Sequence, residues 1–267
     1  MPRSILITGA AGGVAGYLRR EIGDGYRLLL SDIRPVADLA PHESFRAADL
    51  GDLAALRALM PGIDAIVHLG GQSVEGPWGD VLDRNIVGAY NLFEAARQEG
   101  VRRVVFASSC HAVGFYRLDE TIAADAYFRP DSRYGVSKVF GEALGSLYAD
   151  KYGFDVLSIR IGNVAERPAD ARRLTSWLSP RDLAQLVRIG IETEGLGHQV
   201  VFGMSGNTGS CWDNAAALRL GYLPRDDAME HAAGIDRSPP AAGDAARIYQ
   251  GGPFVLAESG GDPFKRS

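Results

Sequence analysis

The sequence is poor in cysteine: Cys110 and Cys211 are the two in 267 residues, and neither lies in a C-x-x-C pair. That excludes a disulfide framework and suits a reducing compartment, so a cytoplasmic protein is the expectation. The five histidines, at positions 42, 68, 111, 198 and 231, have no ligand spacing, and no metal centre is expected. No stretch approaches the roughly 20 apolar residues of a membrane span. Lysine and arginine form no block, and 28 of them against 33 acidic residues give a net charge of −5. Nucleic acid and anionic membrane are therefore not expected partners, since such binding rests on clustered positive charge. The apolar start from Ile5 to Leu18 is interrupted by glycines, and reads as a strand entering a turn rather than a secretory leader. At 46% hydrophobic residues the chain can bury one large core without a disulfide or metal staple.

Short apolar runs alternate with amphipathic segments over the first 160 or so residues, the pattern of βαβ units. Strands are expected at Ile5 to Thr8, Arg27 to Asp32, Ser44 to Ala47, Ala65 to Leu69, Arg103 to Ala107 and Val156 to Ile161. Most lack clean alternation, which fits strands covered on both faces. Helices are expected at Val14 to Glu21, Leu53 to Met60, Val81 to Gln98 and Arg133 to Tyr152. The fold class is thus α/β: a Rossmann-type, doubly wound parallel sheet. Residues 1–161 form the nucleotide-binding core. Residues 162–267 form mainly a small C-terminal substrate-binding lobe, with a further helix at Pro180 to Thr193 and an edge strand at Gln199 to Gly203, all in one compact unit. A loop is expected at 238–244, and the last residues are expected to be mobile.

The run from Thr8 to Gly16, TGAAGGVAG, joins the first strand to the first helix. Gly9, Gly12 and Gly13 let the backbone turn tightly and approach a pyrophosphate, whose charge meets the helix N-terminus. Asp32 closes the second strand, where a carboxylate accepts hydrogen bonds from an adenosine ribose. Its charge repels a 2′-phosphate and favours NAD over NADP, while Arg34 leaves a cation within reach of such a phosphate. Asp49 and Leu50 follow the third strand, either meeting the adenine or capping the next helix.

Tyr134 and Lys138 stand four apart on a helix, so phenol and ammonium share a face. A tyrosine begins near pKa 10, and ionising it at neutrality costs roughly 4 kcal/mol. Nearby positive charge has the sign needed to reduce that cost. Ser109, at the end of the fifth strand, is positioned to hold a substrate hydroxyl. Cys110 beside His111 raises a thiol-nucleophile reading, but consecutive strand residues point to opposite faces and no third group orients them. Trp177 and Trp212 are read as packing residues rather than as a platform for a sugar.

Together the TGAAGG turn, Asp32, His68-Leu-Gly-Gly71, Asn85, Ser108-Ser109 and Tyr134-x-x-x-Lys138 resemble the extended short-chain dehydrogenase/reductase superfamily, with Ala15 in place of the third glycine of its motif. A closer resemblance, to the uronate dehydrogenases, runs along nearly the whole chain. It rests on His68-Leu-Gly-Gly-Gln-Ser-Val-Glu75, Phe106-Ala-Ser-Ser-Cys-His111, Arg160-Ile-Gly162, Arg172-Arg-Leu-Thr-Ser-Trp177, Trp212-Asp-Asn214 and Gln250-Gly-Gly252. The resemblance implies oxidation of a hexuronic acid at its anomeric carbon to an aldarolactone, with NAD as cofactor. Tyr134 is then the proton acceptor, Lys138 orients the nicotinamide ribose and lowers the tyrosine pKa, and Ser109 positions the reacting hydroxyl. Gly9, Gly12, Gly13, Val14, Asp32, Ile33, Asp49, Leu50, Leu69, Gly70, Gly71, Ser73 and Asn85, with Tyr134 and Lys138, are implied around NAD. Ser73, Ser109, Cys110, His111, Asn163 and Arg172 are implied around the sugar. Two positions depart from the family pattern: Cys110 replaces an Asn and Asn163 a Ser, which leaves the identity of the sugar open, because a thiol is a weak hydrogen-bonding partner. Superfamily members often dimerise through the helices corresponding to Val81 to Gln98 and Arg133 to Tyr152, so a homo-oligomer is possible. The rival readings are a nucleotide-sugar epimerase or dehydratase, a neutral-aldose dehydrogenase and a dinucleotide-sensing protein without turnover. The first needs a larger C-terminal lobe than the hundred or so residues after Ile161 provide.

Overall fold

A computed structural model of the chain describes residues 2–238, 241 and 243–257. The loop expected at 238–244 lies partly outside these residues, and the final segment expected to be mobile wholly so. The apolar run after Arg3 forms β1 (Ser4–Thr8), and the glycine turn releases the chain into α1 (Gly13–Ile22). β2 (Arg27–Ser31), β3 (Glu43–Phe45), α2 (Leu53–Leu59) and β4 (Ala65–His68) follow. α3 (Trp78–Val81) and α4 (Gly88–Glu99) lead to β5 (Arg103–Ser109), a short β6 (Ile122–Ala123) and α5 (Arg133–Tyr152). β7 (Asp155–Ile161), β8 (Asn163–Val164), α6 (Arg173–Ser176), β9 (Trp177–Leu178), α7 (Pro180–Glu192) and β10 (His198–Gly203) come next. β11 (Trp212–Asp213), α8 (Ala215–Arg219) and α9 (Ala245–Ile248) complete the elements.

Seven strands form one parallel sheet in the order β10-β7-β5-β4-β1-β2-β3. Alternation along β1 divides the core. Ile5 and Ile7 join Leu18 of α1 and Leu183 and Val187 of α7 on one face, while Leu6 joins Phe93, Phe106 and Leu144 on the other. The chain leaves β1 towards β2 on one side and returns through β4 on the other, which opens a crevice at the carboxyl ends of these strands. Segments after Ile161 serve both parts of the molecule. α7 and β10 complete the doubly wound layers, while the β8-β9 and β11-β6 pairs lie outside the main sheet. Among the described residues no helix is long and apolar enough to cross a membrane.

Two local features differ from expectation. The helix expected over Val81 to Gln98 is in three pieces, with a π-helical turn at Leu82–Val87 between α3 and α4. That wide turn carries Asn85, whose side chain is drawn inward by three hydrogen bonds to two residues, Gln72 and Ser137. The chain at Cys110–Val113 is a 3-10 turn rather than a strand, capped by Ser109 Oγ, which accepts from the amide of His111. The face-alternation argument for Cys110 and His111 therefore fails, because strand geometry ends at Ser109.

Candidate active site

A cavity of about 510 Å³ lies at the crevice, bordered by the turn after β1, the ends of β2 and β4 and the segment at Asp49. Gly9 has φ +70°, and a Cβ there would stand 2.6 Å from the amide nitrogen of Gly70. Only glycine lets the two strand ends approach this closely. Gly12 precedes α1 without a side-chain cap, so the first amides of that helix are left for a ligand. Asp32 accepts from the amides of Ala11 (3.1 Å) and Arg34 (3.0 Å). Arg34 leans back to within 3.8 Å of that carboxylate. Gly9, Gly12, Gly13, Val14, Asp32, Ile33, Asp49, Leu50, Leu69, Gly70, Gly71 and Ser73 all border the cavity. Asp49 does not cap α2: Asp52 does, accepting from Ala55, while Asp49 accepts from Gly51. Asn85 does not border the cavity. Its amide donates to Gln72 O (3.0 Å) and Ser137 Oγ (2.9 Å), and its oxygen accepts from the amide of Gln72 (2.7 Å). It ties the loop after β4 to α5. These residues fit a dinucleotide: a bare helix N-terminus for phosphates, a held carboxylate for a ribose and an apolar wall at Ile33, Leu50 and Leu69 for a base.

α5 presents Tyr134 and Lys138, both buried and, like Ser109, outside the lining of this cavity. Ser132 starts the helix by accepting from the amide of Gly135, and Glu75 accepts from the amide of Tyr134 at 2.9 Å. Lys138 Nζ donates to Ala107 O (2.9 Å) and lies 5.4 Å from the centre of the Tyr134 ring. Burial brings the Lys138 ammonium down to about 8. Burial pushes the Tyr134 phenol up, and a hydrogen bond with Ser109 opposes it. This departs from the expected lowering by Lys138. His68, below the site, is bonded to Thr8 Oγ1 (2.7 Å), and burial holds it neutral at about 3.

The residues expected around a sugar gather beyond Tyr134. Ser109 is buried at the end of β5. Cys110 is buried with Val113, Ile122, Phe202, Met204 and Trp212, and that burial raises its thiol pKa. Asn163 is half-buried in β8. Arg172 stands just before α6, and its Nε donates to Gln250 O at 2.8 Å. Its two Nη atoms bond no described residue. Trp177 and Trp212 are packing residues: Trp177 Nε1 donates to Ala165 O, and Trp212 packs on Phe202 with ring centres 4.7 Å apart.

The sequence reading overlooked three features here. Residues 249–254 return across the site as a strap, in which Gln250 N donates to Tyr116 O and Gly251 N to Gly114 O. Phe254 of this strap stacks on His111 with ring centres 3.9 Å apart and meets Tyr134 edge-on at 6.1 Å. Asp131 lies 2.7 Å from His111 Nδ1. The Gln250-Gly-Gly252 motif was the one available signal for the strap, and nothing in its composition says that it closes on His111.

A buried phenol, serine and lysine on a parallel sheet that also carries a dinucleotide crevice place the molecule among the Rossmann-fold oxidoreductases that use NAD. Comparison with known proteins carries the assignment further. The NAD dependent epimerase/dehydratase family matches residues 5–186. A uronate dehydrogenase of Pseudomonas putida is 48% identical over 257 residues, covering 95% of this chain and 96% of that protein. The crystal structure of a glucuronic acid dehydrogenase from Chromohalobacter salexigens superposes with a TM-score of 0.92 at 43% identity, covering 100% of both chains. A uronate dehydrogenase from Agrobacterium tumefaciens, with one tyrosine replaced by alanine and complexed with NAD, superposes at 0.90 with 39% identity and 99% coverage of each chain. The chain belongs to the NAD-dependent epimerase/dehydratase family and, within it, to the uronate dehydrogenases.

Proposed function

We propose that this protein oxidises a hexuronic acid, glucuronate or galacturonate, at C1 to an aldarolactone, with Tyr134 as the base. The observation that carries this reading is the placement of Arg172. Its Nε is anchored on Gln250 O while both Nη atoms stay free of described partners, so a planar fork is offered to a carboxylate. Tyr134 takes the proton of the C1 hydroxyl, and Ser109, already bonded to that phenol, shares the hydroxyl during the transfer. His111, in ring contact with Tyr134, and Asn163 of β8 are assigned the polar contacts to the ring hydroxyls. Bound NAD supplies the acceptor for the C1 hydride and a positively charged ring that favours the phenolate. Of the residues bordering the cavity, Gly12, Gly13 and Val14 take its phosphates, Asp32 the adenosine ribose, Asp49 and Leu50 the adenine, and Ser73 the nicotinamide side, while Lys138 is assigned to the nicotinamide ribose by its place four residues from Tyr134. The lobe over the strand ends, within 162–267, is the substrate-binding part, and residues 1–161 hold the cofactor.

The test is NADH formation from purified protein and NAD with glucuronate, galacturonate, glucose or galactose in turn. Turnover with the acids alone is expected, and turnover with the neutral sugars alone overturns the role of Arg172. Tyr134→Phe is expected to cut kcat by about 10²–10⁴ while leaving the Kd for NAD within about twofold; undiminished turnover defeats the assignment of the base. We further propose a homo-oligomer built on the outer faces of α4 and α5 and the turn before α4, where Val87, Tyr90, Val136 and Leu147 are 39%, 47%, 45% and 47% exposed. Light scattering on the eluted protein reads the mass. Free thiols at Cys110 and Cys211 support the cytoplasm as the compartment.

A further inference from the structure

His111 enters the site with one ring nitrogen already engaged. Its Nδ1 lies 2.7 Å from Asp131 Oδ2, and the Asp131 side chain is 0% exposed. The carboxylate is held from several directions. Ser132 Oγ donates to Asp131 Oδ1 (2.6 Å), and the Asp131 amide donates to His111 O (3.3 Å). A Cβ at Gly114 or at Gly251 would stand 1.8 Å from Asp131 Oδ2, so two glycines, one from the turn after β5 and one from the strap, leave just enough room for it. The imidazole is equally confined. Phe254 stacks on it at 3.9 Å and an interplanar angle of 14°, and Tyr134 meets its edge at 5.7 Å. Its Nε2 bonds no described residue.

We propose that Asp131 is a positioning residue that holds His111 in the Nδ1–H tautomer, presenting Nε2 as a hydrogen-bond acceptor to a hydroxyl of the substrate beside Tyr134. The proposal rests on the reading of the site as a sugar site. An ionised carboxylate only accepts, so the proton of the 2.7 Å bond belongs to Nδ1. A neutral imidazole with Nδ1 protonated keeps its lone pair on Nε2, and the partner of one nitrogen thereby decides what the other offers. The stacked Phe254 and the edge of Tyr134 prevent the ring from turning over to exchange its nitrogens. The role assigned to Asp131 is indirect, since it touches His111 and not the substrate.

Long-range ¹H–¹⁵N spectra of the ¹⁵N-labelled full chain, recorded at about pH 7.5, separate protonated from unprotonated ring nitrogens, and His111→Gln identifies the His111 signals by their loss. Nδ1 protonated and Nε2 unprotonated is the expected result. Nε2 carrying a proton in the wild-type protein overturns the proposal, and this measurement needs no variant at position 131 to fold. In Asp131→Asn, which keeps the shape between Gly114 and Gly251, the Nε2 signal is expected to move towards a tautomer mixture. KM for the uronate is expected to rise about tenfold, the equivalent of one hydrogen bond, with kcat less affected and the Kd for NAD unchanged. A wild-type KM together with a wild-type His111 spectrum in that variant overturns the role of Asp131. Absence of turnover with every uronate in the wild type, with the expected tautomer present, refutes the substrate reading and leaves the Asp131–His111 geometry standing.

Discussion

Replacing Glu142 by Gln tests the ion pair beneath the site. Glu142 on α5 and Arg160 on β7 are both 2% exposed at the side chain, and they meet through two bonds of 2.9 and 2.8 Å. Ser108 Oγ donates to the same carboxylate at 2.5 Å. Among the described residues the guanidinium otherwise reaches only Ala124 O (3.1 Å) and the faces of Phe128 and Phe202, 5.6 and 5.8 Å from the ring centres. An amide keeps the shape but removes the countercharge and sets an NH₂ against the guanidinium, leaving a buried cation uncompensated. Breaking such a pair costs about 3–5 kcal/mol. For a chain of this size that lowers Tm by about 6–20 °C, at about 2–4 °C per kcal/mol. Urea unfolding followed by circular dichroism, at constant slope, reads the free energy directly. Pairing Glu142→Gln with Arg160→Met is expected to recover most of the loss, since the penalty belongs to the orphaned charge rather than to the missing bonds. A loss below about 1 kcal/mol for the single variant, or a double variant no more stable than the single, refutes the reasoning.

Acid stability follows from His68. Its folded value of about 3 lies below the ordinary 6.5, so the unfolded chain takes up a proton that the folded one refuses. The contribution is complete above pH ~6.5 and shrinks as pH falls towards 3, with about 2 kcal/mol already lost at pH 5. His68→Gln is expected to lose less stability than the wild type between pH 7.5 and 5, and equal losses contradict the buried neutral imidazole. Asp32→Asn is expected to raise the Kd for NAD about tenfold and that for NADP less, because the amide repels a 2′-phosphate less than the carboxylate does. Calorimetric titration with both nucleotides decides it, and an unaltered preference removes Asp32 from the discrimination.

The nucleotide half of the site was legible because its chemistry is local. A strand, a glycine turn and a helix are contiguous, and the periodicity that announces them also places Gly9, Gly12 and Asp32 at the crevice. α5 was read to the residue, since Ser132 caps it and Gly153 ends it in the left-handed conformation. The π-helical turn was not legible, because Leu82, Ile86, Ala89 and Phe93 keep a helical spacing through it. What singles the turn out is Asn85 reaching the loop at Gln72, a partner no periodicity records. Asp131 and Phe254 were missed for a similar reason. Each matters through His111, which is distant from Phe254 in sequence, and a carboxylate before a helix cap or an aromatic after a proline is ordinary in isolation. The tyrosine–lysine pair shows a further limit, because spacing gave the shared face but not the burial that raises the phenol and lowers the ammonium.

The strap makes the two halves of the site differ in how they come apart. The dinucleotide crevice is built on the ends of β1, β2 and β4 in the middle of the sheet, so losing its floor means separating those strands. The sugar half is closed by a few residues that return from more than a hundred positions away, held by backbone bonds from Gln250 and Gly251, by the Gln250 side chain and its carbonyl's bond from Arg172, and by the aromatic contacts of Tyr249 and Phe254. Undoing those contacts leaves the sheet intact, so the sugar half has a local opening equilibrium of its own. Hydrogen exchange of the Gln250 and Gly251 amides should therefore run far ahead of exchange in β1.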